Sequence, residues 1–465
     1  MRKLNLILIV TAGILLLLPS CSGTRNLKKA EIEIPENLGE SNDTASTIAV
    51  VPWREFYTDS LLRTCIETTL LKNRDLLAAA AKVDELAELY GVQKLNYAPR
   101  INGIVGETRE TNDYYGEKKT IDPEISLKFT LNWEIDFWGG LSYSRRQAGA
   151  RFKASVEDHR AMQITLIAEV ARAYYNLVAL KNELNIVSQT LLTREQALEK
   201  AKLRYEGGLT SELVYQQARV EYATTAALVP GIRHRINICT NAINLLMGRL
   251  PETPVHVNPN ALDQDPGASL PVGLPAQVLE NRPDVRSSEQ SLKAALAGCG
   301  VAYSNQFPKL TLGITAGWEN DEVKNLLKSP FTYILGNIAG TIFDFGRNRR
   351  RYKSSVAVYE QARFKYEKTV LTAFSEVDNA ITALNEMRRT AELRMNLRDA
   401  AAKYVNLANL QYSAGSINYI DVLDAHRRYF DARTSFSNAM RDEYLAMVDL
   451  YKALGGGWIE SSASE

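Results

Sequence analysis

With 465 residues, 45% hydrophobic and 23% charged, the chain has a globular composition that excludes wholesale disorder and leaves room for a sizeable core. Its 55 Lys and Arg balance 54 Asp and Glu to a formal net charge of +1, which gives no electrostatic basis for a nucleic-acid partner. Four histidines (His159, His234, His256 and His426) form no metal-ligand or triad spacing, and P-loop, GxSxG and HExxH motifs do not occur, so no cofactor, metal or catalytic residue is expected.

At the N-terminus, Arg2 and Lys3 precede an apolar run from Leu4 to Leu18. That run is about 15 residues, short of the roughly 20 that a spanning helix needs, so residues 1–20 are expected to be a signal peptide. Leu18-Pro19-Ser20-Cys21 resembles a bacterial lipobox, although Pro19 is unusual there; the resemblance makes Cys21 the acylated first residue of the mature chain. The alternative is an ordinary signal peptide with an incidental cysteine. Ser22 after the cysteine favours the outer membrane by the same resemblance. Cys65, Cys239 and Cys299 show no CxxC or Cys/His spacing. Three buried free thiols are the expectation, and one disulfide with a thiol left over is the alternative.

The chain repeats itself. Glu169 in IAEVARA matches Glu376 in AFSEVDNA, Gly208 in YEGG matches Gly415 in YSAG, and Gly248 matches Gly455, always 207 positions apart. Each half, roughly 60–248 and 275–455, has one internal order. Residues 21–59 precede the first half as an N-terminal segment, and 456–465 follow the second as a tail.

A helical stretch opens each half (60–97 and 283–306) and ends at Pro99 or Pro308, whose ring removes an N–H and disfavours the preceding helical turn. Two strands follow in each half. From Ile125 to Phe137 apolar residues alternate with polar ones without a break, which predicts one apolar and one wet face. Leu310, Leu312, Ile314, Ala316 and Trp318 alternate in the same way, whereas 331–345 is richer in glycine and less regular.

A tilted membrane strand takes about 9–11 residues, so a strand of this length suffices. Trp133, Phe137, Trp138, Trp318 and Phe345 gather toward strand ends, as in an interfacial girdle. Four strands cannot close a barrel, and an open edge in lipid leaves backbone groups unpaired, so a membrane sheet of this size demands an oligomer; three chains supply twelve strands.

After each strand pair comes a long helical pattern. Leu166, Val170, Ala173, Leu177, Leu180, Leu184, Val187 and Leu191 keep a 4-3 spacing, repeated by Ala373, Val377, Ala380, Leu384, Met387 and Ala391. Each rod ends at glycine (Gly207-Gly208; Gly415), and a second helix returns over 211–247 and 418–454. Residues 249–274, rich in proline, form a linker.

These residues resemble the TolC-like outer-membrane efflux family in its OprM-like lipoprotein branch, over nearly the whole mature chain. The specific pieces are NRPDVR at 281–286, FPKL at 307–310, DFG at 344–346, YSAG at 412–415 and DVLDA at 421–425. The resemblance implies a mainly α fold with a transmembrane β-barrel portion. Long coiled-coil hairpins would build an α-barrel, and four strands per chain a trimeric twelve-strand barrel. It implies a homotrimeric exit duct of an RND-type tripartite system, lipid-anchored in the outer membrane, extending into the periplasm, and partnered by a periplasmic adaptor protein and an inner-membrane pump. Type I protein secretion and metal-ion efflux are alternative duties. A lipidated coiled-coil adaptor is the rival of another class, but it would carry one hairpin flanked by lipoyl-like modules.

Two sites follow from the resemblance. Asp421 and Asp424 take the place of aspartates that line the periplasmic aperture; their local alternative is a helix N-terminal role, with Arg428 pairing Asp424. The tips, Gly207, Gly208, Leu209 and Thr210 with Gly415 and Ser416, correspond to turns that meet the adaptor. Tyr412 is present, but Ile417 replaces a basic residue and Leu213 and Val214 an acidic one, so the family's latch does not transfer.

Overall fold

The computed structural model describes residues 27–32, 48–113, 115–116, 118–262, 275–340 and 344–458, with 275–277 as backbone only. The expected signal peptide, Cys21, residues 263–274 of the linker and 459–465 of the tail lie outside the described residues.

The elements follow as α1 (Trp53–Phe56), α2 (Ser60–Lys72), α3 (Arg74–Leu95), β1 (Arg100–Asn112), β2 (Thr120–Ile135), α4 (Gly140–Glu206), α5 (Glu212–Leu246), α6 (Pro275–Asn281), α7 (Pro283–Ser304), β3 (Lys309–Asn320), β4 (Pro330–Ala339), α8 (Arg347–Ser413) and α9 (Tyr419–Ala453). The helix expected over 60–97 is two helices. Asn73 is extended between them, and its side-chain oxygen accepts from the Asp75 and Leu76 N–H groups, capping α3. The duplication recurs in the backbone: Gly139, Gly208 and Gly248 have positive φ, and so do Gly346, Gly415 and Gly455, each 207 positions on. Compactness cuts across the repeat, because each of two compact units draws segments from both halves.

One unit comprises Lys82–Val156 and Ser287–Glu367 with the described part of Met1–Glu31. Its sheet runs β1-β2-β3-β4, antiparallel throughout, with Phe129 opposite Gly103 on one side and Ala316 on the other. The register gathers Ile101, Val105, Phe129, Leu131, Trp133, Ile314, Ile334 and Ile338 on one face. Much of that face is bare; Val105 is 77% exposed and Ile338 76%. The other face carries Lys128, paired to Glu124 at 2.9 Å and Glu319 at 3.5 Å, and Lys309, paired to Glu134 at 3.0 Å. Ile104, Tyr333 and Leu335 interrupt its polarity. Among the described residues β1 and β4 each have a neighbour on one side only. No described helix is long and apolar enough to cross a membrane.

The prolines at 99 and 308 sit immediately before β1 and β3, and tryptophans pin these breaks. Trp133 Nε1 donates to the Tyr97 carbonyl at 2.9 Å, and Trp138 Nε1 to the Pro308 carbonyl at 2.7 Å. β2 stops at Ile135 because Asp136 turns to cap α4, accepting from the Leu141 and Ser142 N–H groups at 2.9 and 2.8 Å. Asp344 does the same for α8, accepting from Gly346 and Asn348. Asp136→Ala is therefore expected to cost about 1 kcal/mol, read as a lowered thermal midpoint in detergent. An unchanged midpoint would remove the cap from the account.

The other unit comprises the described parts of Ile32–Ala81, Glu157–Arg286 and Lys368–Glu465. Along the α4 seam Leu166, Val170, Leu177 and Val187 are buried; along α8, Ala373, Val377, Ala380, Leu384 and Ala391 are. Tyr57, Tyr174 and Tyr451 are buried alongside, with Tyr174 Oη donating to Asp59 at 2.6 Å and accepting from the Asn258 N–H at 2.9 Å. The linker residue Asn258 is thus packed onto α4. Repeat-related contacts close each half: Asn73 donates to the Leu246 carbonyl, and Arg282 to that of Ala453. Arg282 also meets Asp284 and Glu376, which explains the charged residues in NRPD. The tail begins docked, since Trp458 Nε1 donates to the Asn281 carbonyl and its ring lies under Arg160 and Arg286. Cys65 and Cys299 are buried, Cys239 is half-buried, and all three are free thiols, so the expectation of full burial fails at Cys239.

Candidate functional site

The two hairpin tips are built alike. At the first, Gly208 N–H reaches the Tyr205 carbonyl and Leu209 N–H that of Arg204; at the second, Gly415 reaches Tyr412 and Ser416 reaches Gln411. This paired closure satisfies the last carbonyls of α4 and α8, and it needs glycine because φ is 70° at Gly208 and 75° at Gly415. Gly207, Gly208, Leu209, Gly415 and Ser416 are exposed and Thr210 is half-buried. Leu209 and Leu213 on the first tip and Ile420 beside the second leave apolar side chains in solvent.

Asp421 and Asp424 lie in the first turns of α9. Asn418 and Asp421 form a reciprocal capping box: the Asp421 N–H bonds the Asn418 side chain, and the Asp421 carboxylate accepts from the Asn418 N–H at 3.1 Å. Asp424 pairs with Arg428 at 2.7 Å, one turn on. Both carboxylates therefore have local partners, while Asp421 stays exposed and Asp424 half-exposed. Tyr412 faces Tyr419 with ring centroids 5.7 Å apart, and both pack with Ile417 on Val405, Ala408, Val422 and Ala425. Ile417, a departure from the family pattern, is thus a packing residue under the second tip.

A few turns from the tips, the hairpins are tied by an ion-pair network that the sequence did not announce. Glu221 on α5 has an 8% exposed side chain. One carboxylate oxygen meets Arg194 of α4 at 3.0 Å, and the other meets Arg427 of α9. Arg194 also donates to the Glu221 carbonyl and the Thr225 hydroxyl. Arg433 of α9 donates to Gln189 of α4 at 2.9 Å. A groove lined by Arg194, Glu221, Tyr419, His426 and Phe430 runs beside this tie. Burial, with Arg194 adding its charge, pushes the His426 pKa below its ordinary value, which keeps the ring neutral at pH 7. One signal was available: Glu221 continues a stripe of Ala218, Thr225 and Ile232 that is otherwise free of charge. The described residues hold no group of three or more potential metal ligands.

The chain matches the family model for outer membrane efflux proteins over residues 65–249 and 274–456. It is 33% identical over 418 residues to the toluene efflux pump outer membrane protein TtgF of Pseudomonas putida, covering 88% of this chain and 86% of that one. To the cation efflux system protein CusC of Escherichia coli it is 28% identical over 459 residues, covering 95% and 97%. Among solved structures, one of CusC superposes with a TM-score of 0.83 at 26% identity, covering 94% of this chain and all of that one. The outer-membrane channel OprN gives 0.83 at 25% identity, covering 94% and 98%. With two tipped hairpins and a four-stranded sheet in the fold and a match over both halves of the repeat, the chain belongs to the outer membrane efflux protein family, the outer-membrane channel component of efflux pumps.

Proposed function

We propose that three copies of this chain close a twelve-strand barrel in the outer membrane and a helical conduit in the periplasm, forming the exit duct of a tripartite pump for small molecules. The observation that carries the trimer is the sheet. Among the described residues it has four strands, one bare apolar face and two edges without neighbours, a combination that lipid admits only when edges are joined into a closed barrel. Heat-modifiable migration at three times the chain mass, in the outer-membrane fraction, is the expected result; a soluble monomer would end the proposal.

A periplasmic adaptor and an inner-membrane pump are the proposed partners, the adaptor engaging the tips through exposed Leu209, Leu213 and Ile420. Cargo choice is assigned to the pump: relatives of similar likeness are named for toluene and for cations. Cys21 is the proposed lipid anchor. In its support, the Lys28 carbonyl accepts from Tyr359 Oη at 2.8 Å, which fastens the N-terminal segment to α8 seven residues downstream of that cysteine.

Asp421 and Asp424 are the proposed aperture lining, six carboxylates in a trimer. Arg428 offsets Asp424, so Asp421 carries more of the effect. Replacing both by Ala is expected to weaken divalent-cation block of single-channel conductance by roughly tenfold, because like charges around one axis raise the local cation concentration. Unchanged block in planar bilayers would return both residues to helix capping alone.

A further inference from the structure

The N-terminal stretches of the two long helices are basic and free of acidic residues. α8 opens with Arg347, Arg349, Arg350, Arg351 and Lys353 and has no acidic residue before Glu360. α4 carries Arg145, Arg146, Arg151 and Lys153 and no acidic residue before Glu157. Arg347, Arg349 and Arg350 in the first turn of α8 oppose the helix macrodipole, and the clustered cations of both helices repel one another. All nine are exposed. Local compensation is slight: Asp344 lies beside Arg347, Arg351 donates to Asn348 at 3.3 Å, and Arg145 and Arg146 lie over the rings of Tyr97 and Tyr143. Among the described residues, none of the nine forms a salt bridge with a carboxylate within 4.0 Å.

Placement says what would compensate them. Both stretches lie in the unit that holds the sheet, and their helices start five and eight residues after β2 and β4 end. Between strand and helix sit Phe137 and Phe345, both exposed, the latter by 88%. Apolar strand face, exposed aromatic and basic stretch thus succeed one another along the chain, the order met on passing from hydrocarbon through the interface to anionic headgroups. The α8 cations fall at about 0°, 200°, 300°, 40° and 240° around the helix axis, so a neighbouring subunit packed on one side cannot cover them all.

We propose that these stretches form a basic collar that binds anionic glycerophospholipid headgroups of the periplasmic leaflet. The proposal rests on the membrane placement of the sheet. Its partner is an extended surface of phosphate-bearing headgroups, since the cations face many directions and are bordered by apolar and aromatic side chains.

The test uses the full-length trimer in vesicles of phosphatidylcholine with 30 mol% phosphatidylglycerol, with spin-labelled versions of each lipid reporting the protein-bound shell. The wild type is expected to prefer phosphatidylglycerol by at least about fivefold at low salt, the preference collapsing as salt rises. Substituting Arg347→Gln, Arg349→Gln, Arg350→Gln and Arg351→Gln together is expected to reduce it severalfold, while the matching Arg→Lys set retains it. A wild type without preference, or a Gln set that keeps it, overturns the collar. So does a preference that inorganic phosphate at 10 mM abolishes at constant ionic strength, because a free-phosphate site would then explain the charge. Single-channel conductance from the same vesicles separates the readings: conducting trimers without lipid preference sink the collar alone, and failure to insert sinks the membrane placement.

Discussion

Arginine in place of Phe129 is expected to block assembly of the sheet in a membrane, whereas arginine in place of the adjacent Thr130 is expected to be tolerated. The two residues are neighbours on β2 but point to opposite faces. Phe129 lies in the middle of the bare apolar face, between Gly103 and Ala316, and its ring fills the space left by the missing side chain of Gly103. Thr130 lies between Asn102 and Thr315, on the face that carries Lys128 and its carboxylates. A cation at the bilayer midplane on a barrel's lipid face costs about 2–4 kcal/mol per chain, and a closed oligomer repeats that cost in each copy. On the opposite face the same side chain meets water. Folding yield into vesicles, read by heat-modifiable migration, should fall steeply for Phe129→Arg and little for Thr130→Arg. Equal yields from the two variants would show that the faces are not divided between lipid and water.

The sidedness of β2 could be read from the sequence because every position of a strand reports on one face or the other, and eleven consecutive residues of β2, Ile125 to Ile135, agreed, although the alternation runs two residues past the end of the strand. β4 was harder, since glycine carries no side chain to vote with, and the strand stops at Ala339 where the pattern had been extended to Phe345. The long helices and their tips were legible for a similar reason: a 4-3 seam and a glycine with positive φ are both local signals. The break at Asn73 was not, because α2 and α3 share one helical composition and the cap is a single side chain. The aspartates of α9 were found by family position, yet their capping box and ion pair appear only when the chain is folded. Least legible was the tie at Glu221. Its partners lie 27 residues before it and 206 after, and no repeat relation links Arg427 to either.

That tie gives the second large expectation. Glu221→Ala should destabilise the paired hairpins by about 3 kcal/mol, the cost of leaving a buried cation without its counter-ion. Arg194 is the cation that matters, because its side chain is only 14% exposed, whereas Arg427 at 58% can turn to water. The loss should therefore be largely recovered by adding Arg194→Met, which removes the stranded charge and fills its volume, and hardly by adding Arg427→Met. Thermal midpoints of the four proteins in one detergent measure this. The tie joins α4 and α5 of one hairpin to α9 of the other, so it also opposes their separation near the tips. Glu221→Ala channels in planar bilayers should accordingly spend more time in high-conductance states than the wild type, without a change in barrel folding yield. If stability falls but conductance does not move, the network is a packing device. If neither moves, Glu221 is adequately solvated through its remaining exposure and the hairpins are held by their apolar seams alone.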